Sequence, residues 1–203
     1  LLQRAFESSQ RRDYKSALPL FEKALERATT ENSVAGQATA LRGIGVVQNA
    51  RGSFPDAHKS LSRAVELCSG QSVDPLCRAR AQNDLAYTEW ATGKISQAVR
   101  LYEEALKDFE AAGDRNEIAK LLYNLAFLTS PATPLRLTRI VAAIEAANAI
   151  NDKRLSGKSH HLWGDTLYNL GDLRSAVSKL ETALALLDTS ADRGDRARVL
   201  ISF

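Results

Sequence analysis

Methionine is absent from this 203-residue chain, and cysteine (2), histidine (3) and proline (5) are scarce. So few cysteines exclude a small disulfide-dense scaffold, and no spacing of histidine with cysteine suits zinc. His160 and His161 are neighbours that face different sides of one helix, and His58 lies far away. No apolar run approaches the roughly 18 residues of a membrane span, and Gln3, Arg4, Glu7 and Ser8 interrupt any leader-like apolar stretch. A net charge of +3 is too balanced to draw the whole chain to nucleic acid or anionic lipid. Gly43 and Gly45 sit inside a helical pattern rather than after a strand, so there is no phosphate loop. Catalysis by Cys68 or Cys77 would need a base within reach and a dry site. The expectation is therefore no enzymatic activity, no catalytic residue, no metal, no cofactor and no small-molecule substrate.

The two cysteines flank the turn-rich stretch from Ser69 to Pro75. They could meet across it only if the flanking helices pack side by side. The default reading is two reduced, small, buried thiols in a cytoplasmic protein.

What the chain does have is a period. Small residues recur at Ala5, Gly45, Ala86, Ala126 and Gly164, at steps of 40, 41, 40 and 38. Twelve residues beyond four of them stand Ala17, Ala57, Ala98 and Ala176. Such self-similarity marks a solenoid, in which each unit buries its apolar face against its neighbours and function lies on an extended surface. About five units are expected, near 1–31, 32–72, 73–113, 114–152 and 153–191, followed by a partial sixth over 192–203. The last residues stop halfway through a unit, so the expectation is a single array taken from a longer protein.

Within each unit, apolar spacings of three and four give two amphipathic helices. The spacing predicts helices near 13–30, 33–50, 54–68, 75–91, 94–111, 115–129, 134–150, 153–169, 172–187 and 194–203, after a first partial one. Gly52, Gly93 and Gly171 fall seven residues after the small residue, where a helix must stop and the chain reverse. Asp in the longer turns, as at Asp114 and Asp152, suits the cap of the next helix. The fourth unit departs from this plan. Its turn carries Pro131 and Pro134, and either Thr138 or Arg136 takes the place of the trailing-helix alanine, so the superhelix is expected to change locally there.

At these residues the chain resembles the tetratricopeptide repeat family, in a long-unit form of about 40 residues known from bacterial proteins. The motif is quoted by Ala17-Phe21-Ala24, Ala57-Leu61-Ala64, Ala98-Tyr102-Ala105 and Ala176-Leu180-Ala183. The resemblance implies an all-α, right-handed α-solenoid of helix-turn-helix repeats, with the leading helix of each unit on the concave face. A clamp known in that family holds chaperone C-termini with Lys, Asn, Asn, Lys and Arg. It is not reproduced, because Val46, Asp84 and Asn124 stand at clamp positions in one register and Asn83, Tyr87 and Leu162 in the next.

Helical spacing then selects a stripe on each leading helix: Thr39, Arg42, Val46 and Asn49; Arg80, Asn83, Tyr87 and Trp90; Lys120, Tyr123, Phe127 and Ser130; Lys158, His161, Asp165 and Tyr168. Arg80, Lys120 and Lys158, continued by Arg198, form a cationic ladder flanked by aromatics, Trp90 being the one expected to be most accessible. Such a groove suits an acidic, partly apolar protein or peptide segment. Asp84, Glu89 and Asp165 on or beside that face argue against nucleic acid. The alternative is a regulatory or positioning arm for an enzymatic or DNA-binding domain outside this chain, and a third reading is self-association through terminal repeats.

Overall fold

The computed structural model describes residues 1–70, 74–188 and 192–202. Among these, eleven helices and no strand are found: α1 (Leu2–Gln10), α2 (Tyr14–Thr30), α3 (Val34–Ala50), α4 (Phe54–Cys68), α5 (Leu76–Ala91), α6 (Ile95–Ala112), α7 (Arg115–Leu128), α8 (Pro134–Ala149), α9 (Lys153–Asn169), α10 (Leu173–Leu186) and α11 (Arg193–Ile201). The fold class is the all-α array of helical hairpins read from the period. The helices group into two compact units, Leu1–Ala112 and Gly113–Phe203.

Helix starts follow the capping logic. Asp13, Asp114, Asp152 and Asp172 each accept a hydrogen bond from the backbone N–H three residues on, at 2.9 to 3.2 Å. Reversals inside the second, third and fifth hairpins use Gly52, Gly93 and Gly171 at φ of +76°, +82° and +83°. In the first hairpin Arg12 takes that left-handed role at φ 60°, where a side chain is strained.

In the first unit α1–α2, α3–α4 and α5–α6 form hairpins, and the leading helices α1, α3 and α5 also touch in sequence. The repeated small residues are the reason the helices come so close. A Cβ added to Gly45 would lie 2.4 Å from Leu61 Cγ, and one on Gly43 would lie 2.2 Å from the Phe21 ring. Phe21 is fully buried and meets Phe6 edge-to-face with ring centroids 4.9 Å apart. Tyr102 fills the matching place in the third hairpin, where burial pushes its phenol far above the usual range.

One expectation is overturned here. Cys68 and Cys77 are joined by a disulfide, with Cα atoms 5.4 Å apart. Helices α4 and α5 pack against each other, so the end of one meets the start of the other. The argument from free thiols to a reduced compartment falls with it. Residues 71–73 of the intervening turn lie outside the described residues.

The second unit holds hairpins α7–α8 and α9–α10, then α11 against α10. Gly164 again admits a leucine, since a Cβ there would lie 2.7 Å from Leu180 Cγ. Buried Ile140, Ala143 and Ala147 of α8 occupy the places of Tyr102, Ala105 and Phe109, so the alanine site of the fourth hairpin belongs to Arg136, not Thr138. Its guanidinium donates from Nε to Thr166 Oγ1 at 2.8 Å and from Nη1 to the carbonyl of Thr129. Arg139 adds a 2.9 Å bond to Thr129 Oγ1. Side-chain donors thus hold a turn that has no glycine to shape it. Of the turn expected over Ser190–Asp195, residues 190 and 191 lie outside the described residues, as does Phe203.

Candidate functional site

In the first unit the stripe on α3 and α5 lies where leading helices adjoin, and it is already engaged. Arg42 Nε approaches Asp84 Oδ2 to 2.9 Å, and its guanidinium lies 5.6 Å from the Phe6 ring centroid. Arg80 donates to Asp74 Oδ2 at 2.7 Å. Asp74 Oδ1 accepts the Leu76 N–H at 2.9 Å, and that bond, with Arg80, holds the carboxyl below its ordinary range. Asn49 is buried. Its Oδ1 accepts the Thr88 hydroxyl at 3.0 Å, so it ties α3 to α5 rather than facing a ligand. Asn83 and Trp90 are half-buried. Trp90 is thus not the most accessible aromatic, because its ring packs against Tyr87 at 5.3 Å. Tyr87 itself is 42% exposed.

Glu89 does not border that face. It is buried against α4, with His58 Nε2 at 2.9 Å and Lys94 Nζ at 3.0 Å. A buried carboxylate is tolerated only with such partners.

In the second unit Lys120 donates to Glu117 Oε1 at 2.8 Å on the exposed side of α7. Tyr123 is half-buried and stacks on Phe127 at 6.5 Å, while Phe127 stays 44% exposed. Lys158 sits over the Tyr123 ring with its ammonium 4.4 Å from the centroid, and burial lowers its pKa. His161 meets Ser202 Oγ at 3.0 Å and Asp165 Oδ2 at 3.4 Å; burial outweighs Asp165 and lowers the imidazole pKa. His160 stacks on Trp163 instead, so the two adjacent rings do face apart. Tyr168 is 60% exposed. Arg198 is paired with Asp195, which also accepts from Arg154 Nε at 2.7 Å. Burial alone would raise the Asp195 carboxyl, and the two arginine hydrogen bonds reverse this and hold it low.

Arg80, Lys120 and Arg198 each have an acidic partner, and Lys158 rests on an aromatic ring. Sequence spacing located the cations and missed their counter-ions. Glu117–Lys120 and Asp195–Arg198 were legible as helical neighbours three apart. Asp74–Arg80, joining the turn to α5, carried no such signal. No metal-holding cluster of His, Cys, Asp and Glu occurs among the described residues. None of the described helices is long and apolar enough to cross a membrane.

Tetratricopeptide repeat models match residues 9–72 and 78–112. Over those residues the chain carries tetratricopeptide repeats. No curated protein matches it. Among solved structures it is similar to BtubC (BKLC) from P. vanneervenii, at 17% identity and TM-score 0.74 over 93% of this chain and 81% of that one. PlcR of Bacillus thuringiensis, crystallised in complex with the peptide PapR7 and DNA, matches at 17% identity and TM-score 0.76 over 98% of this chain and 72% of PlcR. The quorum sensor NprR from B. thuringiensis, in its apo form, matches at 14% identity and TM-score 0.74 over 98% and 58%. At these identities the likeness is one of fold.

Proposed function

We propose that this tetratricopeptide repeat chain is a non-catalytic scaffold whose leading-helix faces bind a protein or peptide segment carrying carboxylates between apolar side chains. The observation that carries this reading is the exposure of Tyr87, Phe127 and Tyr168 on leading helices, beside ion pairs that water already screens. Large, stiff aromatics give contact area at small entropic cost. Exposed pairs such as Arg80–Asp74 and Lys120–Glu117 contribute little to stability, so a ligand carboxylate can exchange for the internal one at small cost. Lys158 adds a cation held by an aromatic ring. The peptide-bound state of PlcR supports the same mode by analogy of fold.

The test uses a fluorescein-labelled peptide of three Glu-Leu-Glu-Gly repeats. Charge reversal at Arg80, Lys120 and Lys158 together is expected to weaken binding at least tenfold at low salt with helicity unchanged. Unchanged affinity would remove the ladder from the account.

The DNA-bound state of PlcR favours a second reading, in which the array positions an attached domain. Self-association is supported by Leu200 and Ile201, exposed on α11. Light scattering that shows no mass change with concentration would dismiss it.

A further inference from the structure

A cleft of about 350 Å³ opens in the first unit where α1, α3 and the start of α5 meet. Its walls are Phe6, Ala35, Ala38, Ala81 and the Cys68–Cys77 disulfide, all apolar. Its polar lining is Thr39, with Arg42 and Arg80 beside Asp74. That volume sits at the low end of ligand sites, which run from about 300 to 1,000 Å³, and suits one bulky residue rather than a cofactor.

We propose that this cleft is an anchor pocket for one leucine-sized side chain of an extended peptide, with an adjacent carboxylate taken by Arg80. The proposal rests on the scaffold reading and gives it a point of specificity. Phe6, the alanines and sulfur make up most of the lining, so an apolar side chain gains most by leaving water there. Alanines at three wall positions leave the space that a larger residue would close. The disulfide makes the fourth side and pins the start of α5 to the end of α4, which fixes the pocket shape before a ligand arrives. Charge complementarity selects the neighbour. Arg80 is part-exposed, and its aspartate keeps a second hydrogen bond from Leu76 N–H when the guanidinium turns away. Arg42 is held more deeply by Asp84 and Phe6 and serves as a fixed wall. None of Phe6, Ala35, Ala38, Ala81, Cys68 or Cys77 stood out as a binding residue in the sequence, because each looks like ordinary core or turn.

The experiment compares the labelled peptide of three Glu-Leu-Glu-Gly repeats with its Glu-Ala-Glu-Gly counterpart on the oxidised chain. The leucine peptide is expected to bind about tenfold tighter, roughly half or more of what full burial of that side chain gives. Ala35→Leu then fills the cleft from an exposed position on α3. It is expected to bring the two affinities within about twofold without shifting the melting temperature, while Ala35→Ser keeps the preference. Equal binding of the two peptides, or a leucine preference that survives Ala35→Leu, overturns the pocket. The two readings fail separately. A lost preference with intact sensitivity to ladder reversal removes the pocket alone, and a retained preference with no effect of reversal removes the ladder, the Arg80 contact included, and leaves the apolar anchor standing.

Discussion

The third and fourth hairpins close by different means. In α5–α6 the chain reverses at Gly93, and Ala98 of the trailing helix is fully buried. In α7–α8 the reversal runs through Pro131 with no positive φ, and Arg136 stands at the alanine site with its guanidinium on Thr129 and Thr166. Sterics close one hairpin and hydrogen bonds close the other. A repeat motif is thus a statement about how a turn is satisfied, and the small residue can be given up when a donor takes over the exposed carbonyls.

The largest effect expected from this contrast is on Ala98→Arg. The third hairpin has neither space nor free carbonyls for a guanidinium, so a loss of about 3 kcal/mol or more is expected in denaturant unfolding. A cost under 1 kcal/mol would show that the alanine site is permissive everywhere. Next comes the covalent tie. Reducing Cys68–Cys77 is expected to cost ~2–3 kcal/mol, the usual value for a short closed loop, and to leave near-ultraviolet signals of Trp163 in the second unit unchanged. Arg136→Ala is expected to cost about 1–3 kcal/mol by stripping Thr129 and Thr166 of a charged donor. If Arg136→Ala stabilises the chain, the alanine rule governs the fourth hairpin after all.

A smaller effect separates the units by pH. His160 and His161 in the second unit are both lowered by burial, so between their folded pKa values and about 6.5 the unfolded chain binds more protons. Their contribution to stability is complete above that range and is lost as pH falls through it, by at most ~1.4 kcal/mol per pH unit for each ring. Replacing both with glutamine is expected to flatten the decline between pH 7 and 5; an unchanged slope would place the acid sensitivity elsewhere. The smallest effect is a gain. Arg12→Gly relieves the left-handed strain of the first turn and is expected to add about 0.5–1 kcal/mol, read as a rise in melting temperature.

Most of the helical plan was legible because period and spacing encode burial directly. All five small residues of the leading helices are buried, from Ala5 to Gly164. What spacing could not show were contacts between residues of unlike role: Asp84 on Arg42, Asp74 on Arg80, Asn49 on Thr88, and sulfur on sulfur across a turn. Those depend on how closely helices approach, which a periodic pattern does not state. Trp90 misled for the same reason, since polar sequence neighbours say nothing of Tyr87 one turn away.

The most direct test of the leading-helix account is amide chemical-shift mapping of the chain titrated with the Glu-Leu-Glu-Gly peptide. Shifts concentrated at Arg42, Arg80, Asn83, Tyr87 and Trp90, with α2, α6 and the part of α4 before Cys68 silent, are the expected result. Shifts centred on those trailing helices would contradict it.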